Sequence, residues 1–144
     1  MHPADFIAFV PQARELGIRL ESYDAFTGRC VMRLPFREEL IGDPARGFVH
    51  GGVMTTLLDT LGGATALARG IKVRATLDLR IDYLRPAVRG ADLLAQAECY
   101  RVTRHVAFVR GSCHQGDAQR PVAELTATFV LAPADGKGVA EQMA

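Results

Sequence analysis

The sequence predicts an α+β domain: an antiparallel sheet wrapped around one long central helix, with a short helix at the N-terminus. Three observations carry this reading. An apolar stretch with helical spacing runs over about residues 50–69 and is ended by Gly70. The period then changes to two. In RATLDLRIDYLRP, Leu77, Leu79, Ile81 and Tyr83 share one face, and Asp78, Arg80 and Asp82 share the other. Finally, the later strands follow one another with no helix between them, which implies antiparallel pairing with the helix packed on one side.

Taken in order, the first element is a short helix. Phe6, Phe9, Val10, Ala13 and Leu16 recur at helical spacing, and Gly17 supplies a C-cap, while Pro11 inside the pattern kinks or shortens it. Strands are predicted over 18–25 and 29–35, around a turn at Thr27-Gly28. Past the central helix and the RATLDLRIDYLRP strand come strands over 92–103, 106–114 and 122–131. The last alternates through Ala123, Leu125, Ala127 and Phe129. Residues 1–133 read as a single domain, and 134–144 as a disordered tail.

Composition excludes several function classes. At 144 residues and 49% apolar, the chain can build one core without disulfide or metal staples. Basic and acidic residues balance at 17 and 16, so no whole-protein electrostatic grip on nucleic acid is expected. Cys30, Cys99 and Cys113 form no CxxC pair, and the N-terminus lacks a basic region with a small-residue cleavage site. Both point to a cytoplasmic chain with reduced thiols. The most apolar run, 53–68, is 16 residues long, contains Asp59, and is too short for a membrane span. His105 and His114 belong to no cluster at metal-ligand spacing, so no metal is expected. GxGxxG, Walker A and GxSxG patterns are absent.

Candidate chemistry concentrates on the central helix. Projected at 100° per residue, Gly52, Thr55, Thr56, Gly62, Gly63 and Ala66 lie within about 60° of Asp59. Val53, Met54, Leu57, Leu61, Ala64 and Ala68 form the opposite, greasy face. Two adjacent glycines inside a helix cost about 1 kcal/mol each relative to alanine. Either a backbone or a second helix approaches them closely, or they wall a substrate groove beside Asp59. The helix entry is Gly47-Phe48-Val49-His50-Gly51-Gly52. A helix N-terminus presents free N–H groups, and glycine lets a ligand oxygen reach them, so Gly51 and His50 form a candidate oxyanion hole.

HGGVMTTLLD followed by TLDLRIDYLRP resembles the phenylacetate-pathway (PaaI-like) branch of the hotdog-fold acyl-CoA thioesterases, over about residues 17–131. The resemblance implies a hotdog fold and hydrolysis of acyl-CoA to free acid and coenzyme A, with no cofactor beyond the substrate's own coenzyme A. By position, Asp59 matches the family's helix carboxylate, which activates water or attacks the thioester. His50 and Gly51 match the groups that hold and polarise its carbonyl. Thr76 matches a Ser or Thr near the attacking water, although strand parity puts it with Asp78 and Arg80 unless a bulge intervenes. Many members carry Asn six residues before the His; here Pro44 stands there, preceded by Asp43.

Geometry points to shared sites. Gly51 and Asp59 lie about 12 Å apart along one helix, whereas a thioester carbon needs both groups within about 3 Å. Two antiparallel helices in an isologous homodimer, or in a tetramer of two dimers, would supply both. The stretch 69–110 carries nine basic against four acidic residues. Under the thioesterase reading Arg85, Arg89 and Arg104 are candidates for the coenzyme A phosphates, and Gly52, Thr56, Gly62 and Gly63 for the remaining substrate contacts. Two alternatives stay open: a hotdog hydratase or dehydratase acting on acyl thioesters, and a non-catalytic acyl-CoA-binding module.

Overall fold

The structure, a computed structural model, describes residues 1–133; the tail over 134–144 lies outside the described residues. The predicted N-terminal helix divides in two, α1 (Pro3–Phe9) and α2 (Pro11–Leu16). The break has a local cause: a proline disfavours helical backbone in the residue before it, and Val10 is extended at φ −78° and ψ 113°. Gly17 ends α2 in the left-handed conformation at φ 79°.

Strands β1 (Arg19–Asp24) and β2 (Arg29–Leu34) form the first hairpin. A short 3-10 turn (Glu38–Leu40) leads to a small two-stranded ribbon, β3 (Ile41–Asp43) and β4 (Phe48–Val49). The ribbon delivers the chain to α3 (Gly51–Ala68), after which come β5 (Val73–Tyr83), β6 (Leu93–Val102), β7 (Val106–His114) and β8 (Ala123–Leu131). The main sheet is antiparallel throughout, in the order β1-β2-β6-β7-β8-β5, so β1 and β5 are its edges.

The sheet wraps α3, which is the hotdog arrangement. Its inner face alternates Cys30, Met32 and Leu34 on β2, Leu93, Ala95, Ala97 and Cys99 on β6, and Leu125, Ala127 and Phe129 on β8, all buried. Met54, Leu57, Leu58 and Leu61 of α3 pack on this surface, where alanines leave room for the helix.

The two helical faces inferred from sequence hold only for the first half of α3. From Thr60 to Ala66 every residue is buried. Gly62 and Gly63 do not line an open groove in the chain. A Cβ on Gly62 would stand 2.6 Å from the Phe129 ring, and one on Gly63 3.2 Å from the Phe6 ring. These glycines let two aromatic rings, from β8 and α1, approach the helix.

Candidate functional site

Asp59 is half-buried in the middle of α3 and accepts a hydrogen bond from the Thr76 hydroxyl at 2.9 Å. Simple alternation would have turned Thr76 away. A β-bulge makes the difference: Thr76 pairs with Phe129 and Asp78 with Thr128, so β5 carries one extra residue there. The bulge restores Thr76 to the helix side with Leu79 and Ile81. It expels Leu77, which is 59% exposed rather than on the Leu79 face where alternation puts it.

His50 is the N-cap of α3, and its Nδ1 accepts the Gly52 N–H at 2.9 Å. With Nδ1 occupied as an acceptor, the neutral ring carries its proton on Nε2, which is left as a donor. Gly52 therefore spends its N–H on the cap and offers no free donor to a ligand. The Gly51 N–H, in contrast, has no acceptor among the described residues. Thr56, one turn on, donates to the Gly52 carbonyl at 3.0 Å.

Behind this turn stands a residue that sequence reasoning treated only as part of an apolar strand face. The Tyr83 hydroxyl, at the end of β5, donates to the Gly51 carbonyl at 3.1 Å and lies 2.5 Å from the Thr55 hydroxyl. Gly42 is a second missed residue. A Cβ there would come within 2.8 Å of the His50 Cα and Cβ, so the β3–β4 ribbon seats His50 against a bare backbone. Beside Gly51 opens a cavity of about 460 Å3, lined largely by apolar groups including Phe48, Met54, Leu84 and Pro86. A larger hollow of about 540 Å3 lies on the sheet face turned away from α3, among Arg29, Glu98, Arg110 and Glu124. It is a polar surface groove, remote from Asp59 and His50.

The arginines do not form a cluster within one chain. Arg85 donates to the Pro121 carbonyl at 3.0 Å, and Arg89 is paired with Glu38 at 3.1 Å. Arg104 sits in the β6–β7 turn at the other end of the sheet, separated from Arg85 by the length of β7, roughly 30 Å. Asp43 is a turn residue. The Arg46 guanidinium and main-chain N–H hold its carboxyl below the usual carboxylate range. The thiols are poor nucleophiles: burial pushes Cys30 up to about 11 and Cys113 up to about 12. Among the described residues no group of His, Cys, Asp and Glu could hold a metal ion, and no helix is long and apolar enough to cross a membrane.

Comparison with known proteins agrees with this fold. The thioesterase superfamily model matches residues 46–130, from the β3–β4 turn through β8. The medium/long-chain acyl-CoA thioesterase YigI of Salmonella typhimurium is 30% identical over 143 residues, covering 88% of each chain. A chain of Halobacterium salinarum named as an esterase is 45% identical over 92 residues, 60% of this chain and 58% of that one. This chain thus spans little more than half of that relative's length. A solved structure of a PaaI variant, the phenylacetic acid degradation protein of Thermus thermophilus, superposes with a TM-score of 0.72 at 27% identity. It covers 84% of this chain and 98% of its own.

Proposed function

Because the chain belongs to the thioesterase superfamily, we propose that it hydrolyses acyl-CoA thioesters to the free acid and coenzyme A. The observation that carries this is the pairing of a hydroxyl-held carboxylate, Asp59 with Thr76, with a helix entry whose Gly51 N–H has no acceptor among the described residues. The likeness to YigI over 88% of both chains supports acyl-CoA as the substrate class.

In this reading the thioester carbonyl oxygen accepts from the Gly51 N–H and from His50 Nε2–H, which take up the charge that develops as the carbon becomes tetrahedral. Asp59 withdraws the proton of an attacking water, or attacks the carbon itself, while Thr76 fixes one of its oxygens. On the water route the C–O bond forms, the C–S bond breaks, and the proton held by Asp59 passes to the departing sulfur. On the other, the carboxylate displaces the thiolate to form an anhydride, which water then hydrolyses, giving the free acid, a proton for the sulfur and the restored Asp59. The apolar cavity beside Gly51 offers room for an apolar arm of the substrate.

The acting Asp59 belongs to a second copy of the chain, since about 12 Å of helix separates it from Gly51. β5 supports such an assembly: it is an 11-residue strand with one edge unpaired among the described residues. Edge-to-edge pairing of two β5 strands about a two-fold axis would close that edge and lay the two α3 helices side by side, antiparallel. Arg85 and Arg89, at the α3 entry, and Arg104 of the other copy remain the candidates for phosphate contacts.

The test is release of coenzyme A thiol from a panel of acyl-CoAs. The native protein should turn over at least one of them. Asp59→Asn should lower kcat by about 10² or more while folding normally. An Asp59→Asn variant that keeps more than about a tenth of the native kcat would overturn the assignment.

A further inference from the structure

We propose that Tyr83, acting with Thr55, is a positioning residue that locks the glycine-rich first turn of α3 and so aims the Gly51 N–H; its catalytic consequence rests on the thioesterase reading. Gly51-Gly52 is the least constrained pair of residues with which a helix can begin, because glycine has the widest backbone freedom and first-turn amides lack helical partners. The His50 side chain holds the Gly52 N–H and its carbonyl the Val53 N–H, but neither holds Gly51. Gly51 has no side chain to anchor it; its carbonyl is held by Thr55, one turn on in α3, and from outside the helix by Tyr83.

That carbonyl is one corner of a triangle of oxygens. The Tyr83 hydroxyl stands 3.1 Å from it, the Thr55 hydroxyl 3.2 Å, and the two hydroxyls 2.5 Å from each other. Two hydroxyl protons serve the three edges. Each hydroxyl is within reach to donate to the Gly51 carbonyl, and where only one does so the other donates to it, so the carbonyl always receives at least one bond. The Tyr83 ring also lies 3.4–3.6 Å from the place a Gly51 Cβ would occupy, covering the residue's open side. A rigid strand end on β5 is thereby tied to the residue that carries the free N–H. A small rotation of the Gly51 backbone would re-aim that N–H, and misplacements of this kind are costly to rate.

The experiment compares Tyr83→Phe, Thr55→Val, Thr55→Ser and the Tyr83→Phe/Thr55→Val double variant. Two readouts are taken: kcat and KM on the best acyl-CoA of the panel, and amide hydrogen exchange across 51–55 by NMR. Tyr83→Phe and Thr55→Val should each speed exchange in that turn about tenfold and lower kcat by about 5- to 50-fold. KM should stay within about twofold and the melting temperature close to native. Thr55→Ser keeps the hydroxyl and should behave as native. The double variant should be about as impaired as the worse single one, as expected of a unit.

Native exchange and kcat in Tyr83→Phe would overturn the proposal, as would Thr55→Ser failing as badly as Thr55→Val, or a fall in melting temperature that tracks the loss of rate. A native protein that releases no coenzyme A fails the thioesterase reading alone; exchange in the Tyr83→Phe turn then still decides whether the clamp exists.

Discussion

Thr76 shows how one residue can contradict its own local pattern. Its neighbours alternate cleanly, and alternation alone assigns it to the solvent side with Asp78. The hydrogen bond to Asp59 exists because β5 inserts one extra residue between the partners Phe129 and Thr128. A bulge leaves no mark in a sequence whose strand is otherwise apolar and charged in turn, so only the position of Thr76 in the resembling motif pointed to it. Asp59 was legible from the residues themselves: a carboxylate on the small-residue face of an apolar helix demands a partner. The interaction has a measurable consequence. Thr76→Val removes the only hydroxyl donor that the described residues bring to Asp59, and kcat should fall about tenfold, whereas Thr76→Ser should keep most of it. Equal activity in Thr76→Val and the native protein would show that the bond orients nothing the reaction uses.

At the scale of elements, length and periodicity decided what could be read. α3 and the strands β5 to β8 are each nine residues or longer, enough for a period to repeat several times, and their predicted bounds fall within a few residues of the observed ones. β3 and β4 have three and two residues and no period at all, yet they set the position of His50. The paired glycines of α3 were legible as an anomaly but not in their cause, because the rings that cover them come from residues 6 and 129. Arginine content was equally uninformative about place, since a carbonyl bond and an ion pair take up Arg85 and Arg89 while Arg104 lies at the other end of the sheet. The β3–β4 ribbon yields its own prediction. A Cβ on Gly42 would sit 2.8 Å from the His50 backbone, an overlap that cannot be relieved by turning a side chain. Gly42→Ala should therefore cost about 1–3 kcal/mol, lower the melting temperature by roughly 3–10 °C, and reduce kcat at least about tenfold by shifting His50 and the N–H that follows it. A native melting temperature and native kcat would mean that the ribbon gives way freely and does not seat His50.

At the scale of the whole molecule the governing fact is a distance. One α3 holds Gly51 and Asp59 about 12 Å apart, and neither the buried inner face nor the clamp at Tyr83 lets them approach. On the proposed reading a single chain carries two half-sites, and among the described residues β5 leaves a free strand edge beside both of them. If two copies pair there about a two-fold axis, each site takes His50 and Gly51 from one protomer and Asp59 from its partner. This can be tested without reference to any relative. His50→Ala and Asp59→Asn should each be inactive alone. Mixed in equal amounts under conditions that exchange subunits, half of the dimers should become heterodimers, each with one site holding both native residues and one holding neither. About a quarter of the native activity should return. Were His50 and Asp59 to act within the same chain, exchange could rebuild no site, and the mixture would stay as inactive as its components.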